Sequence, residues 1–176
     1  MGNLTYFAYG SNMLEERLRQ RSPSARATAV ARLEGWTLSF HKRSKDGSGK
    51  ASIAPSEEQD ATVYGVLYEL DSSDLEALDR FEGYGSGYDR RSIDVTIITT
   101  GETVTAMTYL ASEEAIDPSL SPYDWYLKLI IAGAKEHSLP ESYVEELAGV
   151  HANSDPIQDR PAQREALALL KKVQKP

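Results

Sequence analysis

Two short segments of this chain carry residue types that could do chemistry. The first is Tyr9-Gly10-Ser11-Asn12-Met13. An apolar, aromatic run from Leu4 to Tyr9 has strand character, and a helical pattern follows from Leu14 to Arg21. A strand therefore ends, glycine lets the backbone turn, and a helix begins. Unsatisfied backbone N–H groups at such a junction suit a carboxylate or a developing oxyanion. The same residues also suit an ordinary cap, with Ser11 or Asn12 capping its own helix. No Gly-Lys-Ser/Thr follows, so the segment is not a P-loop. The second segment is Leu78-Asp79-Arg80-Phe81-Glu82-Gly83-Tyr84. Leu75, Leu78 and Phe81 recur at helical spacing, and Glu82 falls one turn after Leu78, on or beside the apolar face. A carboxylate placed there is desolvated unless it finds partners, and such surroundings suit it to general acid/base work. The plainer alternative is a helix-end glutamate that reaches water or pairs with Arg90 or Arg91.

The aromatic complement points the same way. Ten tyrosines outnumber three phenylalanines and two tryptophans. Tyr109 closes a predicted strand and Tyr126 sits on a predicted helix. A tyrosine gives an apolar wall with a polar tip, which serves a pocket for a polar ligand as well as ordinary packing. Other chemistry finds little support. There is no cysteine, which excludes disulfides, thiolate catalysis and Cys-based metal sites. His41, His137 and His151 lack metal-ligand spacing, so no metal and no cofactor is expected. Ser11 is not in a Gly-x-Ser-x-Gly elbow, which argues against a serine-hydrolase triad. His41-Lys42-Arg43-Ser44-Lys45 reads as a solvated basic loop.

The elements that must position these residues follow from patterning. Strands are expected over 26–33, 36–42, 51–54 and, most strongly, 61–70. Ser72-Ser73-Asp74 starts a helix that ends at Gly83. Tyr88 to Thr99 and Thr103 to Ala111 form a hairpin around Gly101. Helices are expected over 122–138, stopped by Pro140, then 142–147, then an amphipathic 162–173. The strands come mostly as neighbours with short links, so a closed or nearly closed mixed β-barrel with helices outside is expected rather than a doubly wound sheet. The chain length fits one domain of ordinary size: residues 1–150 as a single domain, with 151–176 a linker and helix packed on the domain or on a partner subunit.

Net charge is −8, which argues against a nucleic-acid binder and against docking on an anionic membrane. No segment approaches the apolar length needed to span a bilayer, and the N-terminus shows no secretory pattern. A cytoplasmic protein is expected.

Tyr6-Phe7-Ala8-Tyr9-Gly10-Ser11-Asn12-Met13 resembles the N-terminal signature of the γ-glutamylcyclotransferase family, which shares the AIG2-like fold. Leu78-Asp79-Arg80-Phe81-Glu82-Gly83 resembles that family's catalytic segment. The likeness continues through Ala31-Arg32-Leu33, Tyr64-Gly65-Val66, Tyr109-Leu110 and Gly133-Ala134-Lys135-Glu136 followed by Leu139-Pro140. It covers roughly residues 4–148, in order, and its specificity lies in two functional blocks occurring together. The resemblance implies an α+β fold with a small mixed β-barrel and flanking helices. It implies a cofactor-independent conversion of a small γ-glutamyl compound to 5-oxoproline, with Glu82 as general acid/base. It assigns substrate binding to Tyr9, Gly10, Ser11, Asn12, Met13, Tyr109 and Tyr126. The stretch from Pro122 to Tyr126 is about two residues longer than in familiar relatives, so Tyr123 is an alternative to Tyr126.

Within this reading the leaving group is an amino acid, an amine, or a protected natural product released by a deprotecting enzyme. The loops 43–50 and 112–126 are expected to select it. A non-catalytic binding module of the same fold is an alternative. So is an acidic interaction protein working through Leu167, Leu169, Leu170 and Val173, a stripe that also suits packing on its own domain or in a homodimer.

Overall fold

The computed structural model describes residues 2–174. The strongest strand-forming run becomes β5 (Thr62–Asp71), which is central because it pairs on both sides. One neighbour is β1 (Asn3–Ala8), antiparallel, with Asn3 opposite Asp71 and Ala8 opposite Val66. The other is β2 (Arg26–Glu34), antiparallel, with a register shift between Ala27 and Ala29. β2 pairs briefly with β6 (Tyr88–Ile97), and β6 forms a hairpin with β7 (Thr103–Ala111). β7 returns to β1 in parallel, closing a barrel of order β1-β5-β2-β6-β7. A closed sheet leaves no exposed edge.

The closing seam is short, with Tyr6 opposite Met107 as its one paired register among the described residues. Side chains reinforce it. Thr108 Oγ1 donates to the Phe7 carbonyl at 2.8 Å, and the Tyr9 hydroxyl donates to the Tyr109 carbonyl. Phe7, Val63, Val66, Leu67 and Tyr68 are almost fully buried and form the core of this region. Gly65 is needed there, since a Cβ would lie 2.5 Å from the Ala8 carbonyl oxygen.

β3 (Trp36–Arg43) and β4 (Gly49–Pro55) form a separate hairpin. Its register shifts between Ser39 and Lys42. Five helices flank the strands: α1 (Glu15–Arg21), α2 (Leu75–Glu82), α3 (Asp124–Glu136), α4 (Glu141–Ala148) and α5 (Pro161–Val173). The predicted helix over 122–138 is shorter at both ends. Tyr123 is extended, and Ser138 takes a left-handed conformation ahead of Pro140. α3 is the main packing helix, with Leu129, Ile130 and Ala134 at zero exposure. It meets the 3₁₀ turn Ser11–Met13 so closely that a Cβ at Gly133 would lie 2.6 Å from the Leu14 nitrogen.

Pro at the start of α5 suits a helix N-terminus. This helix buries Ala166 and Leu169 and leaves Leu167 and Val173 exposed, so the predicted apolar stripe is split between its own domain and solvent. Among the described residues no helix is long and apolar enough to cross a membrane.

Candidate active site

β1 delivers its C-terminal end to the 3₁₀ turn Ser11–Met13 at the mouth of the barrel. The Met13 and Leu14 amides are consumed within the turn, donating to the Gly10 and Ser11 carbonyls at 3.0 and 3.3 Å. Among the described residues, the Gly10, Ser11 and Asn12 amides have no such partner. These three residues border a cleft that Tyr6, Tyr9, Ala51, Glu82, Tyr88, Tyr109 and Tyr126 complete. Its cavity volume is small, about 40 Å³. A larger groove of about 590 Å³ lies elsewhere, between β3 and α4.

The turn is not a helix cap. Neither Ser11 nor Asn12 side chain caps α1, whose first turn begins after an extended Leu14. Both side chains serve a buried polar network instead. Asn12 Nδ2 donates to Glu82 Oε1 at 2.7 Å and to the Tyr6 hydroxyl at 3.1 Å, while Asn12 Oδ1 accepts from Arg21 at 2.9 Å. The amide is thereby fixed in one orientation, with both its donors and its acceptor engaged. Arg21 also reaches Glu82 Oε1 at 3.3 Å. Arg17, one turn earlier on α1, donates to Ser11 Oγ at 3.1 Å. Burial, reinforced by the Arg21 charge, pushes the Arg17 guanidinium down to about 10, so it stays cationic at neutral pH.

Glu82 ends α2, where Gly83 takes the left-handed conformation that stops the helix. Its side chain is 16% exposed. Oε1 accepts both bonds, and among the described residues Oε2 has no hydrogen bond. The carboxylate is held by one oxygen with the other left for a ligand. Its ion-pair partner is Arg21, not Arg90 or Arg91; Arg90 pairs with Asp79 at 3.5 Å. The apolar face of α2 is also narrower than its spacing suggests. Leu78 is buried, but Phe81 is 60% exposed and lies under the Arg21 guanidinium, 5.2 Å from the ring centroid.

The tyrosines form the wall. Tyr126 accepts the Ala51 amide at 3.0 Å, and Tyr88 donates to the Ala51 carbonyl at 2.6 Å. Ala51 lies opposite the β3–β4 register shift, so side chains satisfy its backbone. Tyr109 donates to Asp79 at 2.7 Å and packs edge-on against Tyr6. Burial, with the nearby Glu82 charge, raises the Tyr126 hydroxyl to about 12 and pushes Tyr6, Tyr9 and Tyr88 upward too. All four are therefore neutral hydroxyls at physiological pH.

The fold thus gathers Tyr9, Gly10, Ser11, Asn12, Tyr109, Tyr126 and Glu82 at one cleft. Met13 does not reach it: its side chain is fully buried under α3, and its carbonyl accepts from Tyr68 at 2.7 Å. Tyr126 faces the cleft, whereas the Tyr123 hydroxyl points to the Asp46 carbonyl at 2.9 Å. Sequence reasoning missed Tyr6, Arg17, Arg21 and Tyr88. The two arginines are one turn apart on a short helix, a spacing that reads as a solvated charged face.

Comparison with known proteins gives this architecture its relatives. Residues 62–147 match the AIG2-like family. The human gamma-glutamylcyclotransferase is 38% identical over 156 residues, spanning 84% of this chain and 79% of that one. The Bos taurus gamma-glutamylcyclotransferase is likewise 38% identical, over 157 residues. A solved gamma-glutamyl cyclotransferase superposes with a TM-score of 0.85 at 33% identity, covering 97% of this chain and 99% of its own. A yeast cyclotransferase specific to glutathione, at 13% identity and a TM-score of 0.56, shares the fold alone. The barrel with its flanking helices is the α+β fold of the gamma-glutamyl cyclotransferases. Within that fold, the chain belongs to the γ-glutamylcyclotransferase family.

Proposed function

We propose that the enzyme closes the γ-glutamyl group of a γ-glutamyl amino acid or amine into 5-oxoproline and releases the free amino acid or amine. The observation that carries this reading is Glu82, held through Oε1 by Asn12 and Arg21 beside the unpartnered amides of Gly10, Ser11 and Asn12.

The substrate's α-amine and γ-carbonyl already belong to one molecule, so the enzyme's task is to fold that molecule and move protons. Oriented intramolecular reactions gain about 7 kcal/mol or more. Glu82 Oε2 takes a proton from the α-ammonium, freeing a nitrogen lone pair. That nitrogen attacks the γ-carbon, and the carbonyl electrons move onto oxygen. The amides of the Gly10–Asn12 turn receive either this oxyanion or the substrate carboxylate. As the oxyanion collapses, the bond to the leaving nitrogen breaks, and Glu82 returns the proton to that nitrogen. The ring nitrogen, left with two hydrogens by the attack, gives up its second proton through the freed Glu82 to the departing amine, which leaves as an ammonium; two protons pass from one nitrogen to the other, and no water enters the product. Arg21 keeps the carboxylate in place through both transfers, and the tyrosine wall keeps bulk water from competing.

Isotope labelling tests the reaction class. Turnover of γ-glutamyl-alanine in heavy-oxygen water, read by mass spectrometry, yields unlabelled 5-oxoproline and alanine if the ring closes internally. Labelled glutamate would show hydrolysis and contradict the proposal.

A further inference from the structure

Lys42 takes no part in the proton transfers proposed for Glu82. It lies on β3, opposite Lys50 in the β3–β4 register. Its ammonium sits 4.6 Å from the centroid of the Tyr88 ring, and Tyr88 is a wall of the cleft. Gly87 is also adjacent, since a Cβ there would lie 2.9 Å from Lys42 Cε and 3.0 Å from Nζ. Glycine at position 87 therefore leaves the room in which this side chain rests.

Beyond the face of the Tyr88 ring, no described anion pairs with this charge. Among the described residues, the Lys42 ammonium makes no salt bridge, although its neighbours do. Lys50 pairs with Asp46 at 2.8 Å, and Arg43 approaches Asp117 at 3.8 Å. No hydrogen bond from Nζ to any described group relieves it either. Partial burial pulls its pKa down, and the nearby Glu82 charge opposes that shift. In an acidic protein with 27 carboxylate side chains, a half-buried cation without a carboxylate is costly unless it is reserved for an anion that arrives from outside.

The catalytic carboxylate is not that anion, since Glu82 already has Arg21 and Asn12. The γ-glutamyl half of the substrate has its own candidate anion site in the turn amides. With the turn amides taken as the site of the γ-glutamyl carboxylate, the anion left for Lys42 is that of the leaving group.

We propose that Lys42 is a specificity-determining residue that binds the carboxylate of the departing amino acid, so that the preferred substrates are γ-glutamyl amino acids rather than γ-glutamyl amines. This deepens the proposed reaction and rests on it. Removing a charge-assisted hydrogen bond costs a factor of about 10 to 100 in kcat/KM.

The test compares γ-glutamyl-alanine with γ-glutamyl-alaninamide, which differs only by loss of the leaving-group charge. It uses wild type, Lys42→Met and Lys42→Arg, with 5-oxoproline as the readout. Wild type should prefer γ-glutamyl-alanine by at least about 10-fold. Lys42→Met should lose most of that preference, with the loss falling on γ-glutamyl-alanine and carried mainly by KM. Lys42→Arg should keep it. The amide substrate controls for folding within the same enzyme sample. Equal loss on both substrates would overturn the proposal, because Lys42 would then serve the common half of the substrate or the fold. An unchanged preference in Lys42→Met would overturn it as well. If wild type forms no 5-oxoproline from either substrate, the proposed reaction itself falls, and this inference with it.

Discussion

Asn12 uses its whole side-chain amide on the proposed catalytic apparatus: two donors on Glu82 and Tyr6, one acceptor on Arg21. Removing it should therefore do more than delete one bond. Asn12→Ala leaves the Tyr6 hydroxyl and one donor of Arg21 unpartnered near a carboxylate that must hold its position. It should lower kcat by about 10- to 100-fold, with a smaller change in KM, measured by steady-state 5-oxoproline formation. Asn12→Asp should be worse, because two carboxylates would then compete for Arg21. At this scale the sequence was readable where a residue type is rare for its setting. Glu82 stood out as a carboxylate beside an apolar stripe, and Asn12 followed a glycine at a strand end. Arg17, Arg21 and Lys42 did not stand out, because charged residues on a short helix or in a basic run look solvated. Only the tertiary arrangement turns them inward. Phe81 shows the opposite failure, since helical spacing placed it in the core and the structure exposes it beneath Arg21.

The site turn has no regular structure of its own, so the helices behind it hold it in place. α3 presses against it through Gly133, where a Cβ would meet Leu14 N at 2.6 Å and the Met13 carbonyl carbon at 2.7 Å. Gly133→Ala should push helix and turn apart. Overpacking of this kind costs about 1–3 kcal/mol, and here the strain is delivered to the Gly10–Asn12 amides. Activity should fall by more than the loss of folded protein explains, as seen by comparing kcat with the fraction folded by circular dichroism. The segment leading to α5 is fastened by Asp155, which accepts from Arg160 twice, from Trp125 on α3, and from the Ile157 amide. The Arg160 guanidinium, first among these partners, holds the Asp155 carboxyl down at about 2. Because the folded-state pKa lies below the ordinary value near 3.8, the stability this group contributes is present above pH 4 and is lost as pH falls from about 4 to 2. Acid-unfolding curves should show that dependence, and Asp155→Asn should flatten it. The strands and helices themselves were largely legible, since their periodicity and Gly/Pro punctuation agree with the local backbone. The ends of α3 were not, because an extended Tyr123 and a left-handed Ser138 are set by tertiary contacts.

Taken as a whole, the barrel provides a rigid rim and the helices carry the residues that crown it. Closure was expected from neighbouring strands and short links, but the partner across the seam was not readable, because a parallel β1–β7 contact joins segments a hundred residues apart. The C-terminal helix belongs to this frame: Leu169 on α5 is 1% exposed. Leu169→Ala should destabilise by about 2–5 kcal/mol, which for a chain of this size lowers Tm by roughly 5–15 °C, while activity at low temperature persists. A purely interactive role for α5 would instead leave Tm unchanged. The central claim concerns one carboxylate. Glu82→Gln keeps the shape and the Asn12 contact but cannot take and return a proton. With γ-glutamyl-alanine as substrate, kcat for 5-oxoproline formation should fall by about 10²- to 10⁴-fold with KM little changed. A variant as active as wild type would contradict the assignment of Glu82 as the acid and base of this site.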